Sequence, residues 1–264
     1  MIHAVFFDID GTLVSFRTHT IPDSAREALR QLHERGIKLF IASGRHPLDI
    51  FPCVDFPFDG YVALNGGYCL TADGEVIFSR QIDPSDIERL IRYQSDSGRF
   101  ACVLAGAQNM VLNYVDDRVT RVRKMIETEN RALVLPLEEW SARAREGVQQ
   151  LIAFFGPERE ADLMRDLFPH CRSMRWNPLF TDIVPQGVSK AEGIDRMLEH
   201  WGIPLSDTMA FGDGGNDIPM LQHAALSVAM GNAAPEVQQA ASYVTTSVDD
   251  HGIARALRHF QLIG

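Results

Sequence analysis

The chain has 264 residues, 45% hydrophobic and 23% charged, the balance of an ordinary globular protein without disordered or fibrous bias. Its 25 lysines and arginines stand against 35 aspartates and glutamates, and the resulting formal charge of −10 offers nucleic acid and anionic membrane nothing to bind. The length suits one large domain or a core domain carrying an insertion.

Residues 2–7, "IHAVFF", form an apolar, β-prone run that stops at Asp8, and the next pattern is a helix from about Pro22 to Arg35 with Ala25, Leu29 and Leu32 on its apolar face. Pro22 suits the first turn and Gly36 the position just past the end, after which "IKLFIA" (37–42) reads as a second buried strand. Strand, helix and strand imply a parallel βαβ unit. Strands that are apolar throughout need cover on both faces, so the sheet is of the doubly wound type. "YCLTADGEVIFS" (68–79) predicts a hairpin turning at Asp73–Gly74. Residues 84–183 mix helices with strands such as "MVLNY", "LIAFF" and "FTDIV", an α+β insertion. The last third returns to the first grammar: a helix at 189–201, "TMAF", a helix from about 217, "LSVAM", a helix near 234–241, "YVT" and a terminal helix.

Cys53, Cys69, Cys102 and Cys171 lie far apart with no C-x-x-C pair, which disfavours a zinc cluster or disulfide framework and fits reduced thiols in the cytoplasm. The opening "IHAVFFDIDGTL" has no basic n-region and two aspartates where a signal peptide needs apolar residues, and no apolar run approaches the ~18 residues of a membrane helix. A cytoplasmic protein without membrane contact is expected, and no obligate protein partner is evident.

Four segments carry chemistry. Asp8 and Asp10 follow the first strand, at the carboxyl end where open α/β sheets bind ligands. Carboxylates this close repel unless a cation or proton intervenes, which points to a hard metal such as Mg²⁺ or to shared acid–base work, although a solvated Asp turn reads the same way. Ser43, Gly44 and Arg45 follow the second strand and could meet an anion; capping of the next helix by Ser43 is the alternative. "SKAE" opens the helix at Ser189 with capping-box spacing and puts Lys190 in its first turn, where the helix dipole disfavours a cation and an anionic partner explains it better. In "FGDGGNDIPML" (211–221), Asp213 ends a strand and Asp217 lies about a turn on, a second acidic pair inside a Gly-rich turn. Asp8, Asp10, Ser43, Lys190 and Asp213 all project from one edge of the predicted sheet.

In order and spacing, "DIDGT", "ASGR", "GVSK" and "GDGGND" resemble the four motifs of the haloacid dehalogenase superfamily, and most closely its Cof-type branch with a large α/β cap between the second and third motifs. The motif order resolves the architecture as an α/β, doubly wound Rossmann-like core from residues 1–80 and 186–264 with an inserted α+β cap from 81–185, to which the resemblance assigns substrate specificity. The resemblance implies that Asp8 is the nucleophile forming an aspartyl-phosphate, and that Asp10 is the general acid and then the base toward water. It implies Mg²⁺ held by Asp8, the backbone carbonyl of Asp10 and Asp213, with Asp217 assisting. It further implies that Lys190, and Ser43 in the loop with Gly44 and Arg45, hold the phosphoryl oxygens, with Asn216 supporting them. An Asp two residues after the nucleophile marks the superfamily's phosphatases and mutases, where its ion-pumping ATPases have Thr and its dehalogenases lack the arrangement.

The expected reaction is hydrolysis of a small phosphorylated metabolite, with sugar phosphates the commonest class for such caps. A phosphomutase shares the intermediate, and a non-catalytic phospho-acceptor module shares the acidic pocket but needs no hundred-residue insertion. Trp176, with Arg175 and Asn177, could present a stacking surface with polar contacts, but the expectation is a tryptophan buried in the core of the insertion beside exposed neighbours. His46 is expected on the surface at a helix start, and the nine histidines show no metal-ligand spacing.

Overall fold

The computed structural model describes residues 1–96, 99–126 and 132–264. In chain order the elements are β1 (Ala4–Phe7), α1 (Asp23–Glu34), β2 (Lys38–Ala42), α2 (Pro47–Ile50), β3 (Gly60–Ala63), a 3-10 turn (Leu64–Gly66), β4 (Tyr68–Thr71) and β5 (Val76–Ser79). Next come α3 (Pro84–Ser95), β6 (Ala101–Ala105), β7 (Met110–Leu112), α4 (Asp117–Ile126), β8 (Leu133–Val134), α5 (Leu137–Arg145), β9 (Gln150–Phe154), α6 (Glu160–Leu167), β10 (Cys171–Asn177) and β11 (Phe180–Pro185). The chain ends with α7 (Lys190–Trp201), β12 (Thr208–Gly212), α8 (Ile218–His223), β13 (Leu226–Ala229), α9 (Pro235–Ala240), β14 (Tyr243–Val244) and α10 (Gly252–His259). Two compact units result, Met1–Phe78 with Ser189–Gly264, and Ser79–Val188.

The first unit is built on an eight-stranded sheet in the order β14-β13-β12-β1-β2-β3-β4-β5. The six strands from β14 to β3 are parallel, and β4 joins antiparallel. The predicted hairpin is present, with Gly74 at φ 88° in its turn. All four β1 residues are completely buried, as strands covered on both faces must be. On one face Phe6, Phe40, Ala42, Val62 and Ala210 pack against Ile194, Met197 and Leu198 of α7 and Met220 of α8. α1 packs on β2 and on α10, so the sheet is doubly wound, as the sequence predicts.

The chain runs outward from β1 through β2 and β3, then returns to the other side of β1 for β12. The order of strands therefore reverses between β1 and β12, and such a switch point is where open α/β sheets form their ligand crevice. The register aligns the strand ends there: Phe7 lies opposite both Phe211 and Ile41, and the Asp8 amide still donates to the Phe211 carbonyl at 3.0 Å.

The second unit carries a six-stranded sheet, β10-β11-β9-β6-β7-β8, antiparallel except for the β7–β8 pair. Its apolar centre includes Leu90, Phe100, Trp140, Phe155 and Phe168. Trp140 is fully buried, and its indole N–H is satisfied by the Cys102 carbonyl at 3.3 Å. Trp176, expected in this core, is instead 49% exposed with its ring edge-on to Phe180. Trp140 sits on the apolar face of a helix over the sheet, whereas Trp176 sits near the end of the edge strand β10, half exposed. Asp83, Asp86 and His170 also cluster in this unit. Fully buried Asp86 accepts from Arg89, from the His170 backbone amide and from the Cys171 thiol, and meets the His170 ring, which ties α3 to the start of β10. Among the described residues no helix is long and apolar enough to cross a membrane.

Candidate active site

Asp8 leaves β1 at the switch point and stays buried, only 6% exposed. The chain then closes a tight loop: the Gly11 amide bonds the Val14 carbonyl at 2.9 Å, and the Leu13 and Val14 amides both reach the Ile9 carbonyl. Gly11 has φ +83°, and a Cβ there would stand 2.2 Å from a carboxylate oxygen of Asp213. Only glycine gives the left-handed turn and admits that carboxylate.

Lys190 is the centre of the arrangement. Ser189 caps α7 by accepting from the Glu192 amide at 3.2 Å, which fixes Lys190 in the first helical turn. The lysine is entirely buried, and its Nζ lies 2.5 Å from Oδ1 of Asp8 while also bonding Oδ1 of Asp217. The anion that the sequence demanded for this lysine is thus supplied twice by the protein itself. Burial opposes the ammonium charge, but the two carboxylates outweigh it and push the lysine upward.

Asp217, also fully buried, has its second oxygen committed to the Asp213 amide at 2.9 Å and the Gly214 amide at 2.8 Å. It therefore anchors the loop after β12 and pairs Lys190. Asp213 accepts from the Thr12 hydroxyl at 3.0 Å and from Nδ2 of Asn232 at 3.0 Å. Asn232 also donates to the Gly11 carbonyl at 2.9 Å and accepts the Val248 amide at 3.0 Å, so it staples three loops together.

Asp10 and Arg45 form a fork, Nε to Oδ2 at 2.7 Å and Nη2 to Oδ1 at 2.6 Å. The guanidinium that the sequence set against an anion is thus engaged by Asp10. Ser43, 2% exposed, accepts the Arg45 amide at 3.2 Å and does not cap α2. The cap is His46, whose Nδ1 accepts from the Leu48 amide at 3.1 Å. His46 is at a helix start as expected, but it is buried rather than on the surface, because its ring turns inward to make that bond. Gly44 packs against the Asn65 side chain, and Asn65 Oδ1 accepts from Nδ2 of Asn216 at 3.0 Å.

Thr12, Asn65 and Asn232 are the residues that sequence reasoning missed as parts of the site. Asn65 is fully buried in the left-handed region at φ 55°, next to Leu64 at φ 50°, and two adjacent non-glycine outliers mark stored strain. Their amides hold the loop after β2, Leu64 to the Arg45 carbonyl at 3.1 Å and Asn65 to the Ser43 carbonyl at 3.0 Å.

Carboxylate oxygens of Asp8, Asp213 and Asp217 lie within 4.8 Å of one another. Burial, then the Asp217 charge, raise the Asp8 carboxyl well above its ordinary range although Lys190 pulls it back. The same two causes push Asp213 up to about 7. Counting Asp8, Asp10, Asp213 and Asp217 against Lys190 and Arg45 leaves two negative charges uncompensated, the charge of one divalent cation. Hard carboxylate oxygens without thiol or imidazole suit Mg²⁺, so the donor set fits the metal that the resemblance implies.

A buried lysine between two aspartates, with two further carboxylates, sits at the switch point of a doubly wound α/β core. Residues 5–257 match the haloacid dehalogenase-like hydrolases, and the chain belongs to that family, in its Cof-type branch of phosphoric monoester hydrolases. A putative phosphatase of Bacillus subtilis, YkrA, is 33% identical over 261 residues, 98% of each chain. The structure of the HAD subclass IIB sugar phosphatase BT4131 superposes with a TM-score of 0.87 at 37% identity, covering 98% of this chain and 99% of that one. BT1666 of Bacteroides thetaiotaomicron, described among phosphatases of the superfamily, gives 0.88 at 37% identity, covering 100% and 96%.

Proposed function

We infer that this chain hydrolyses phosphate monoesters of small metabolites, sugar phosphates foremost, with Mg²⁺ and through an aspartyl-phosphate on Asp8. The observation that carries the reading is the fully buried Lys190 bonded at once to Asp8 and Asp217, a placement that helix stability opposes. The sugar-phosphatase relative supports the substrate class.

Asp8 attacks the phosphorus in line; its carboxylate oxygen forms the new bond as the ester oxygen leaves, and Asp10 gives that oxygen its proton. Water then surrenders a proton to Asp10 and attacks the same phosphorus, freeing orthophosphate and the Asp8 carboxylate. Lys190 lowers the repulsion between nucleophile and phosphate and steadies the charge that spreads over the phosphoryl oxygens. Ser43 and Asn216 line the cradle for those oxygens, and Asp217 holds Lys190 and the Asp213 loop in place. Asp8, Asp213 and the carbonyl of Asp10 would hold Mg²⁺, which when bound would supply positive charge favouring the ionised Asp8 and the anionic substrate. Discrimination among esters falls to the unit Ser79–Val188, which carries none of the acidic, hydroxyl or lysine side chains of the four motifs.

Purified protein should release phosphate from p-nitrophenyl phosphate with Mg²⁺, stop with EDTA, and recover when excess Mg²⁺ is returned. Asp8→Asn should abolish turnover while leaving the fold intact; full activity in that variant sinks the mechanism. A panel of phosphorylated metabolites ranked by kcat/KM then identifies the substrate class.

A further inference from the structure

Arg45 belongs to the "ASGR" segment, which the resemblance assigns to phosphate, yet its guanidinium meets a different anion. Nε and Nη2 grip the two oxygens of Asp10 at 2.7 and 2.6 Å in a parallel fork. Both side chains are drawn in from water, 22% exposed for Arg45 and 35% for Asp10. The arginine's own backbone is tied at both polar groups: its amide donates to Ser43 Oγ at 3.2 Å, and its carbonyl accepts from the Leu64 amide at 3.1 Å. Asp10 is fixed from its side by a β-bridge to Val14. Two pinned backbones joined by a two-bond fork leave the Asp10 carboxylate one plane and one orientation.

We propose that Arg45 is a positioning residue for Asp10 rather than a ligand of the phosphate. The inference rests on the reading of Asp10 as acid and then base. A carboxylate offers about four lone-pair sites, and the fork takes one on each oxygen. The remaining pair on each oxygen is held in the same plane at a fixed bearing, where one can carry the proton to the leaving alcohol and later take one from water. Without the fork the side chain turns about two bonds, and each proton transfer waits for a chance alignment. Positioned acid–base groups contribute roughly 10²–10⁴-fold, and an error of about 1 Å costs roughly 10²-fold, so the expected loss is on the order of 10–100-fold in kcat.

The test compares Arg45→Met, Arg45→Lys, Asp10→Asn and the double variant Arg45→Met/Asp10→Asn in the full chain. Each is assayed on a hexose 6-phosphate, whose alkoxide needs a proton, and on p-nitrophenyl phosphate, whose phenolate leaves unaided. Phosphoenzyme trapped by acid quench is measured alongside. Positioning predicts a large fall in kcat on the hexose ester with KM and inhibition by inorganic phosphate nearly unchanged. It predicts trapped phosphoenzyme on the aryl ester, because water still needs its base, and no further loss in the double variant beyond Asp10→Asn. Arg45→Lys keeps the charge but not the fork, so it should not rescue; it also carries the test should Arg45→Met fail to fold.

A phosphate ligand would behave otherwise. Arg45→Met would then raise KM and weaken phosphate inhibition on both esters alike, Arg45→Lys would restore much of the loss, and the double variant would fall at least tenfold below Asp10→Asn. Any of those three results overturns the proposal. Full activity of Asp10→Asn on the hexose ester would instead remove the acid–base reading itself, and the role of Arg45 with it.

Discussion

Lys190→Met takes the cation from between two buried carboxylates while keeping a long, unbranched side chain in the slot. In the native site Lys190 has no exposed surface, and it bonds Asp8, 9% exposed at its side chain, and Asp217, 0% exposed. Neither partner can reach bulk water for compensation, so the discount that applies to surface pairs does not apply here. Stranding a buried charge by deleting its partner costs about 3–5 kcal/mol, and relief of the unfavourable helix dipole returns only about 0.3–1 kcal/mol. A net loss of about 3–4 kcal/mol, read with a urea m-value of ~2 kcal/mol/M, moves the unfolding midpoint down by roughly 1.5–2 M. The deficit should grow with pH, because the stranded carboxylates can escape their repulsion by holding a proton at low pH and lose that escape as it rises. Lys190→Met/Asp217→Asn should recover a substantial part of the loss, because one stranded charge is gone. Urea unfolding followed by circular dichroism in EDTA tests all of this. A Lys190→Met midpoint indistinguishable from wild type at neutral pH would mean that the lysine does not hold two ionised carboxylates together.

Three further outcomes follow from the geometry. Metal-free wild type should lose stability relative to Asp213→Asn as pH rises from about 4 to 7. The native Asp213 carboxyl, pushed up to about 7 by burial and the Asp217 charge, keeps a proton that the unfolded chain has already released. The ceiling is about 4 kcal/mol, from roughly three pH units at ~1.4 kcal/mol each, and Asp8 is shifted in the same direction; thermal melts in EDTA across that range that show no divergence refute it. Asn232→Ala frees one oxygen of Asp213 and the Gly11 carbonyl, so Mg²⁺ should bind about 10–100-fold more weakly by titration calorimetry, with the melting temperature in EDTA falling far less than in Lys190→Met. Gly66→Ala puts a methyl 2.0 Å from the Ser189 carbonyl at a φ of +97°, and should lower both stability and kcat by displacing the helix turn that carries Lys190. Wild-type kinetics in that variant would show that the first turn of α7 tolerates displacement.

The chemistry-bearing residues were legible because each announces itself locally. Asp8 and Asp213 end apolar runs, and the abrupt change from buried strand to carboxylate needs no tertiary knowledge. Lys190 stood out because its position conflicts with the helix dipole, and the structure resolves that conflict with Asp8 and Asp217. Asn65 and Asn232 gave no such signal: an asparagine in a turn beside glycine or alanine is explained by turn chemistry alone. Trp176 and Trp140 are equally apolar as letters, and only the layering of helices over one part of the sheet separates them.

The sequence by itself determined the periodicities, the places where strands stop, and hence the carboxyl-end residues of each strand, because hydrophobic pattern and capping act over a few residues. The order β14-β13-β12-β1-β2-β3 was decided by tertiary structure, since neighbours in a sheet are chosen by backbone pairing between segments as far apart as residues 7 and 211. That pairing placed β12 beside β1 and so brought Asp213 and Asp217 to Asp8. It set β3 beside β2, which delivered Asn65 to the loop after β2, and β13 beside β12, which delivered Asn232 to Asp213. Arg45 shows the difference most plainly: its charge was written in the sequence, but whether it would face a substrate or Asp10 depended on where two loops from adjacent strands came to lie.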